Sequence, residues 1–553
     1  MIGVACAPSE RLVVREFFEL FKTPWAFDDG EAEYEVVIVT AAAGDVRRAA
    51  AVTVAVGSTS MPIDERIGVT VDARPPSGQV IEYTDASVPL LGAVATFSGS
   101  AVAVTRLADG RPAAVKVHTA GGTFIRCGFD LFTEVERLLS EGQNSQHGSS
   151  PTLDAYIELL RGWIVNEVDV LVEIPPVREG HPYAVCLTHD VDFLALRTHR
   201  CDRTLLGFLY RATIGSLRDV VTGRGDVRRL ARNWLTVVSL PLFYLGVRRD
   251  PWQPFSSYVA ADGARSTFFV IPYRGRGGEG LEPKQARARQ VSYDVEDVGQ
   301  AVRELHSDGY EIAVHGIDAW RSTASGRAEL QRFSSVNTHG LGVRMHWLLS
   351  DAESYRRLDA AGYDYDATCG YNDAIGFRAG TTQVFKPLDA DHLLELPLHI
   401  QDTALFFPGR LHLSEREAWE ATEEVRRKAL GGGGVLTVSW HDRSLAPERL
   451  WDRFYSRLLR ALRSDGAWFG TAGDVVAWFR LRRGVKLDTV DIGPSAVVVN
   501  VYSPESSAAR AGFVIRVHTA NGGETKTVDV PWRGEQRLEV PLASAAELEA
   551  PVR

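Results

Sequence analysis

Between about residues 177 and 484 the chain repeats one unit: a short β-rich run, a polar tip, then a stretch of helical periodicity. No other feature limits the fold as much. The runs lie at 183–188 (YAVCLT), 266–271 (STFFVI), 311–314 (EIAV), 394–398 (LELPL) and 435–440 (VLTVSW). Apolar runs this short, alternating with helices, are the pattern of strands buried on both faces of a parallel sheet. Closure of that sheet into a distorted β/α barrel suits the length. Side chains that do chemistry in such a fold gather past the C-terminal ends of the strands, and the polar tips fall there.

A chain of 553 residues is too long for one hydrophobic core. The expected organisation is α/β with three domains: an N-terminal α/β domain (1–176), the barrel (177–484) and a small β-sandwich-like domain (485–553). In the first, strand-like runs at 36–40 (VVIVT) and 52–56 alternate with helix-like ones such as 131–139. Its end is marked by the polar stretch 140–150 (SEGQNSQHGSS), an amphipathic helix over about 153–165, and Pro175-Pro176. The last domain alternates, as in 496–502 (AVVVNVY) and 513–517, with Asn521-Gly522-Gly523 as a hairpin turn. Before it, Thr471-x-x-Asp474 opens a helix that ends in a basic turn and is expected to seal the barrel.

Net charge is −10, pI is near 5.8 and no long Lys/Arg run is present, so nucleic acid is not expected as a partner. Five scattered cysteines without CxxC spacing read as buried small hydrophobes in a reducing compartment. The first residues lack a basic region followed by a long apolar stretch, which places the protein in the cytoplasm as an expectation. The most apolar run, 234–247 (WLTVVSLPLFYLGV), is broken by Pro241 and falls short of the roughly 20 residues that cross a bilayer. It reads as a buried helix in preference to the alternative, a membrane-surface contact. Oligomeric state leaves no mark in the sequence.

The chemistry-bearing residues cluster at four strand ends. Thr188-His189-Asp190-Val191-Asp192 ends a strand in two carboxylates, of which one can bind a metal while the other acts as general base. After 311–314 come His315 and Asp318, both good ligands for zinc or a similar divalent ion. In Arg344-Met345-His346-Trp347, alternation points Arg344 and His346 to one face. Finally His441 directly follows an apolar strand and has charged neighbours able to fix its tautomer and tune its basicity. Any one of these has a bland explanation as a turn or a core group; four at one rim are hard to assign to packing.

The order and character of these motifs resemble the polysaccharide deacetylases, carbohydrate esterase family 4, over about 177–484. Thr188-His189-Asp190-Val191-Asp192 is similar to that family's first motif, Thr-Phe-Asp-Asp-Gly, in its Thr-His-Asp-Val-Asp variant. The resemblance implies Asp190 as general base and Asp192 as metal ligand. The family's second motif, His-Ser-x-x-His, carries two metal-binding histidines, whereas His315 is followed here by Gly316-Ile317-Asp318-Ala319. Asp318 or His346 would then complete the site. The third motif, Arg-x-Pro-Tyr, resembles 344–347, which makes Arg344 the residue that orients the base. The fifth, Leu-x-His, is matched by Val438-Ser439-Trp440-His441 and makes His441 the general acid. Segments 363–368 and 376–381 also look like parts of the family, the latter presenting Arg378 to substrate, and Asp402 either supports the site or merely ends its strand. What the resemblance implies is a divalent cofactor, Zn2+ with Co2+, Ni2+ or Fe2+ as alternatives, and an N-acetylated saccharide that loses its acetyl group. Hydrolysis of another C–N bond, in a small amide or cyclic imide, is the rival within enzymes. A barrel that binds carbohydrate without catalysis is the rival outside them.

Overall fold

In the computed structural model, which describes residues 1–541 except 45–49, 73–74, 76, 84–85, 224–226, 335–340, 450, 494 and 522–523, the repeat at 177–484 becomes nine strands of one sheet. In chain order they are β1 (Ala184–Val191), β2 (Thr267–Val270), β3 (Glu311–Gly316), β4 (Gly342–Met345), β5 (Tyr365–Asp366), β6 (Leu394–Glu395), β7 (Ile400–Gln401), β8 (Val435–Ser439) and β9 (Trp468–Gly470). Their spatial order is β6-β5-β4-β3-β2-β1-β8-β7, with β9 also paired to β1. All pairings are parallel. All eight residues of β1 are buried, as its Ala-Val-Cys-Leu run requires in a sheet covered on both faces.

The sheet is a half-barrel and not the closed barrel expected: among the described residues no pairing joins β6 to β7. The physical reason lies in the connection. Only residues 396–399 separate the two strands, and parallel neighbours need a crossover of a dozen or more residues. At the other end of β4, Gly342 permits close approach to β5, because a Cβ there would lie 1.9 Å from the Tyr365 ring.

The chain divides into two compact units, one made of Met1–Gly180, Ala379–Leu388 and Ala477–Arg553, the other of His181–Arg378 and Asp389–Val476. In the first, a nine-stranded sheet begins with parallel pairs among Ile2–Ala5, Trp25–Phe27, Val36–Thr40, Val52–Val56 and Gly122–Cys127, then continues antiparallel through Pro112–Thr119 and Val102–Leu107. Val170–Glu173 pairs antiparallel with Val514–Asn521, so segment 485–553, read above as its own domain, shares a sheet with the end of the N-terminal region. Gly522 and Gly523 lie outside the described residues; the strands that flank them pair as far as Asn521 and Glu524. The fully buried Arg482 donates to the carbonyls of Ile174 and Leu20, satisfying backbone that would otherwise be buried unpaired. The Thr471/Asp474 capping pattern forms as expected, each backbone N–H bonding the other's side chain at 3.1 Å, ahead of helix Ala472–Gly484.

Two expectations about burial are corrected. Of the five cysteines, all free, Cys127 and Cys186 are buried, whereas Cys201 is exposed and Cys6 and Cys369 are half-buried. The apolar run at 234–247 is not a buried helix. It forms the end of helix Val227–Val238 and the short helix Leu240–Tyr244, with Trp234, Leu235, Val238, Leu242, Leu245 and Val247 exposed. Apolar content shows how much surface a run can bury, while its direction depends on what lies across from it, and here Asn233, Thr236 and Ser239 take the inner face. Among the described residues no helix is long and apolar enough to cross a membrane.

Candidate functional site

The C-terminal ends of β1, β3, β4 and β8 bring the polar tips to one cavity of about 310 Å³, within the usual range for small-molecule sites. Asp190, Asp192, His315, His346 and His441 line it. Asp192, His315 and His346 each offer one ligand atom, and these atoms lie within 4.8 Å of one another. The Nε2 atoms of His315 and His346 stand 3.5 and 3.4 Å from Asp192 Oδ1. Asp318 is outside this group. Its Oδ1 accepts from the Glu279 N–H at 2.9 Å, and its own N–H donates to Glu329. Of the two candidates for the third position, His346 is therefore the one beside Asp192.

The group suits a divalent cation on three independent grounds. His315 Nδ1 donates to the Arg344 carbonyl at 3.0 Å, which fixes the tautomer and leaves the Nε2 lone pair facing Asp192. Burial, outweighing the pull of Asp192, holds His346 down to about 3, so its ring is neutral and able to ligate. Asp192 Oδ1 is buried and has no hydrogen-bond donor among the described residues, a cost that a bound cation would remove. Against its burial, His346 and His315 keep the Asp192 carboxyl well below the usual carboxylate range.

His346 is aimed by unusual backbone. Trp347 (φ 67°) and Leu348 (φ 52°) both adopt the left-handed region, which costs of order 1–3 kcal/mol for each non-glycine residue and persists only when the surroundings over-determine it. Arg289 is one such determinant: fully buried, it donates to the His346 carbonyl at 2.8 Å and to the Gly277 carbonyl at 2.9 Å. Nothing in the sequence around position 289 marks that role, because the contact spans 57 positions.

Asp190 sits beside the triad without joining it. Its Oδ1 accepts from Arg344 Nη1 at 2.9 Å, while Oδ2 faces His441 Nε2 at 3.9 Å. Burial would raise its pKa; Arg344, His315 and His441 more than offset this and hold it below the usual carboxylate value. Arg344, fully buried, also donates to Thr188 Oγ1 at 2.7 Å and to the Ala367 carbonyl at 2.9 Å, so its direction is fixed from three sides. Near it, burial raises Asp366 to about 6 although hydrogen bonds from Thr368 and Glu395 pull it down, and burial together with the charge of Asp366 raises Glu395 well above its ordinary value, so the two carboxyls are placed to share a proton.

His441 is the cationic end of the site. Its Nδ1 donates to Asp402 Oδ1 at 2.6 Å, and its backbone N–H bonds Asp402 Oδ2 at 2.7 Å. Burial disfavours the imidazolium, yet Asp402 prevails and the ring is pushed up to about 9. Of the two readings left open for Asp402, support of the site describes its contacts. Asp402→Asn is predicted to move the alkaline limb of the kcat/KM profile downward by about 1–3 pH units, since the ring loses its principal stabilising charge. The sign follows from the raised pKa: a group that must be protonated supports turnover below about 9 and loses it above. A limb that stays in place would remove Asp402 from this positioning role.

Other expected residues stand elsewhere. Arg378 donates to the Gly370 carbonyl at 2.9 Å and does not line the cavity. His189 is spent on structure, stacked on Tyr258 at 3.7 Å and bridging the Trp440 carbonyl and Asp262. Arg443, one of the charged neighbours of His441 in the sequence, joins Arg410 and Arg449, which no motif marks, in giving the cavity a positive wall, and it lies 3.8 Å over the Phe193 ring.

No family model matches the chain, and no curated protein matches it. Solved structures resemble it in part. A protein assigned as a polysaccharide deacetylase from Mycobacterium smegmatis is 16% identical over 58% of this chain and 99% of that one, with a TM-score of 0.33. A second, assigned as a polysaccharide deacetylase involved in O-antigen biosynthesis from Bordetella bronchiseptica, is 13% identical over 48% and 74%, at 0.22. A β-galactosidase from the psychrophilic Marinomonas ef1 is 11% identical over 31% and 32%, at 0.19. Likenesses this faint decide nothing about the chemistry, which rests on the geometry of the cavity.

Proposed function

We propose that this chain is a divalent-metal-dependent hydrolase that removes N-acetyl groups from an amino-sugar-containing saccharide. The reading is carried by one juxtaposition: a three-ligand group open to a cavity, with a deprotonated carboxylate on one side and a protonated imidazole on the other. Asp192, His315 and His346 would hold the ion. When bound, a divalent cation supplies Lewis acidity toward a carbonyl and makes water more acidic. Asp190, kept ionised and oriented by Arg344, takes the proton of the attacking water. His441, kept protonated by Asp402, gives its Nε2 proton to the departing amine nitrogen, a transfer typically worth about 10²–10⁴ in rate. The acetylated sugar as substrate comes from the motif resemblance, since the site chemistry alone suits other amides as well.

The test is metal analysis of the purified protein together with acetate release from N-acetylglucosamine oligomers. Near-stoichiometric divalent metal and acetate release are expected. A protein without metal that still binds the oligomers would instead be a carbohydrate-binding protein. Turnover of small amides or cyclic imides, with none of the oligomers, would move the assignment to another C–N bond.

A further inference from the structure

Residues 194–250, inserted between β1 and the helix Pro254–Asp262, are unlike the rest of the chain in both charge and polarity. The segment holds eleven arginines, no lysine and four acidic residues, so a stretch of net charge +7 belongs to a protein of net charge −10. It folds into two packed arms, one running through Arg203–Tyr210, Arg211–Gly215 and Ser216–Val221, the other through Val227–Val238 and Leu240–Tyr244.

Both arms expose an apolar stripe, although the first also buries Phe208 and Ala212 against Leu196 and Trp252. Leu206, Tyr210, Ile214, Leu217 and Val221 recur every three or four residues on the first arm, all between 45% and 79% exposed. On the second, Val227, Trp234, Leu235, Val238, Leu242 and Leu245 are 43–76% exposed. Among the described residues, twelve of the twenty-two exposed large apolar side chains fall within 206–247, which makes this a patch and not scatter. The inner face of Val227–Val238 is instead polar, with Asn233 and Thr236 buried. A helix with this inverted amphipathicity lowers its free energy only if something apolar covers the outer face. At 3.6 residues per turn Arg218, Arg228 and Arg232 fall at the margins of the two stripes, and all three are exposed.

We infer that this helical insertion docks on the surface of an anionic lipid bilayer, its apolar stripes entering the interface and its arginines meeting acidic headgroups. The charge selects this occupant. A second copy would set two arginine-rich faces against each other, whereas an anionic bilayer supplies both the apolar layer and the opposite charge. Trp234 and Tyr210, exposed within the stripes, are residues suited to the headgroup level, and flanking arginines can extend their stems along the apolar surface to keep the guanidinium in water. The root of the insertion is firm. Phe193 meets Trp252 at 5.8 Å, Arg443 lies over both rings, and the Trp252 indole donates to Glu448 at 2.9 Å. Phe193 and Arg443 also line the cavity, so the insertion is anchored at its wall. The inference does not depend on the reaction catalysed there.

Flotation of the full-length protein with vesicles tests it. With phosphatidylcholine vesicles containing about 30 mol % phosphatidylglycerol the protein is expected to float at low salt, and to float at least roughly tenfold less with pure phosphatidylcholine or at high salt. Leu217→Asp with Trp234→Asp and Val238→Asp, and separately Arg228→Glu with Arg232→Glu, are each expected to lower binding roughly tenfold or more. All five positions are exposed or outward-facing, and an unchanged circular dichroism spectrum and melting temperature would show that the fold survives. Failure to float with the anionic vesicles, or equal flotation by both variants, would overturn the inference. So would a lipid-free dimer that the aspartate variant dissociates, since the patch would then be covered by a second copy.

Discussion

Asp190→Asn is expected to cut acetate release from N-acetylglucosamine oligomers by about 10²–10⁴-fold, the usual worth of a positioned general base. The substitution is close to isosteric, so an amide oxygen can still accept from Arg344 Nη1, as Asp190 Oδ1 does at 2.9 Å. Arg344 also keeps Thr188 Oγ1 and the Ala367 carbonyl as acceptors, which limits the structural damage. Because Asp190 is outside the three-ligand group, bound metal should be retained in full. The informative combination is therefore lost rate with normal metal content and a normal circular dichroism spectrum. Rates near those of the unaltered protein would remove Asp190 from the role of base.

Replacing a member of the ligand group acts on the other variable. Asp192→Ala, His315→Ala or His346→Ala is expected to weaken zinc affinity by more than about 100-fold, the upper end of what loss of an outer partner costs, because on the proposed reading each would remove a direct ligand. Competition with a chromophoric chelator measures this without any substrate. Asp318→Ala provides the contrast: it gives up a bond to the Glu279 N–H and should leave affinity nearly unchanged. If Asp318→Ala released the ion and His346→Ala did not, the third ligand would be the other candidate.

The strand-then-tip pattern made much of this legible in advance. Strand ends in a parallel sheet share one rim, so Asp190, Asp192, His315, Arg344 and His441 had to fall on the same side of the molecule once their runs were read as strands. The choice between Asp318 and His346 was not legible, because it turns on where the backbone goes after β4. Two consecutive left-handed residues there, Trp347 and Leu348, are held by Arg289 from 57 positions away. Asp402 was visible as a carboxylate after a strand, but its bond to His441 crosses 39 positions and joins the ends of β7 and β8. The insertion failed in the opposite sense. Its apolar content was plain, and its outward direction was not.

Local sequence decided what depends on short-range periodicity: that the runs at 183–188, 266–271, 311–314 and 435–440 hold strands and that ionisable groups stand near their ends, because side-chain alternation and turn chemistry act within a few residues; the short strands β5, β7 and β9 and the exact strand ends were not marked. Tertiary structure alone decided the half-open sheet, the partners that set the charge of His441 and Asp190, and the outward face of the 194–250 arms. Those outcomes depend on free energies of contact and burial between residues far apart in the chain, and no local pattern encodes what a side chain will meet.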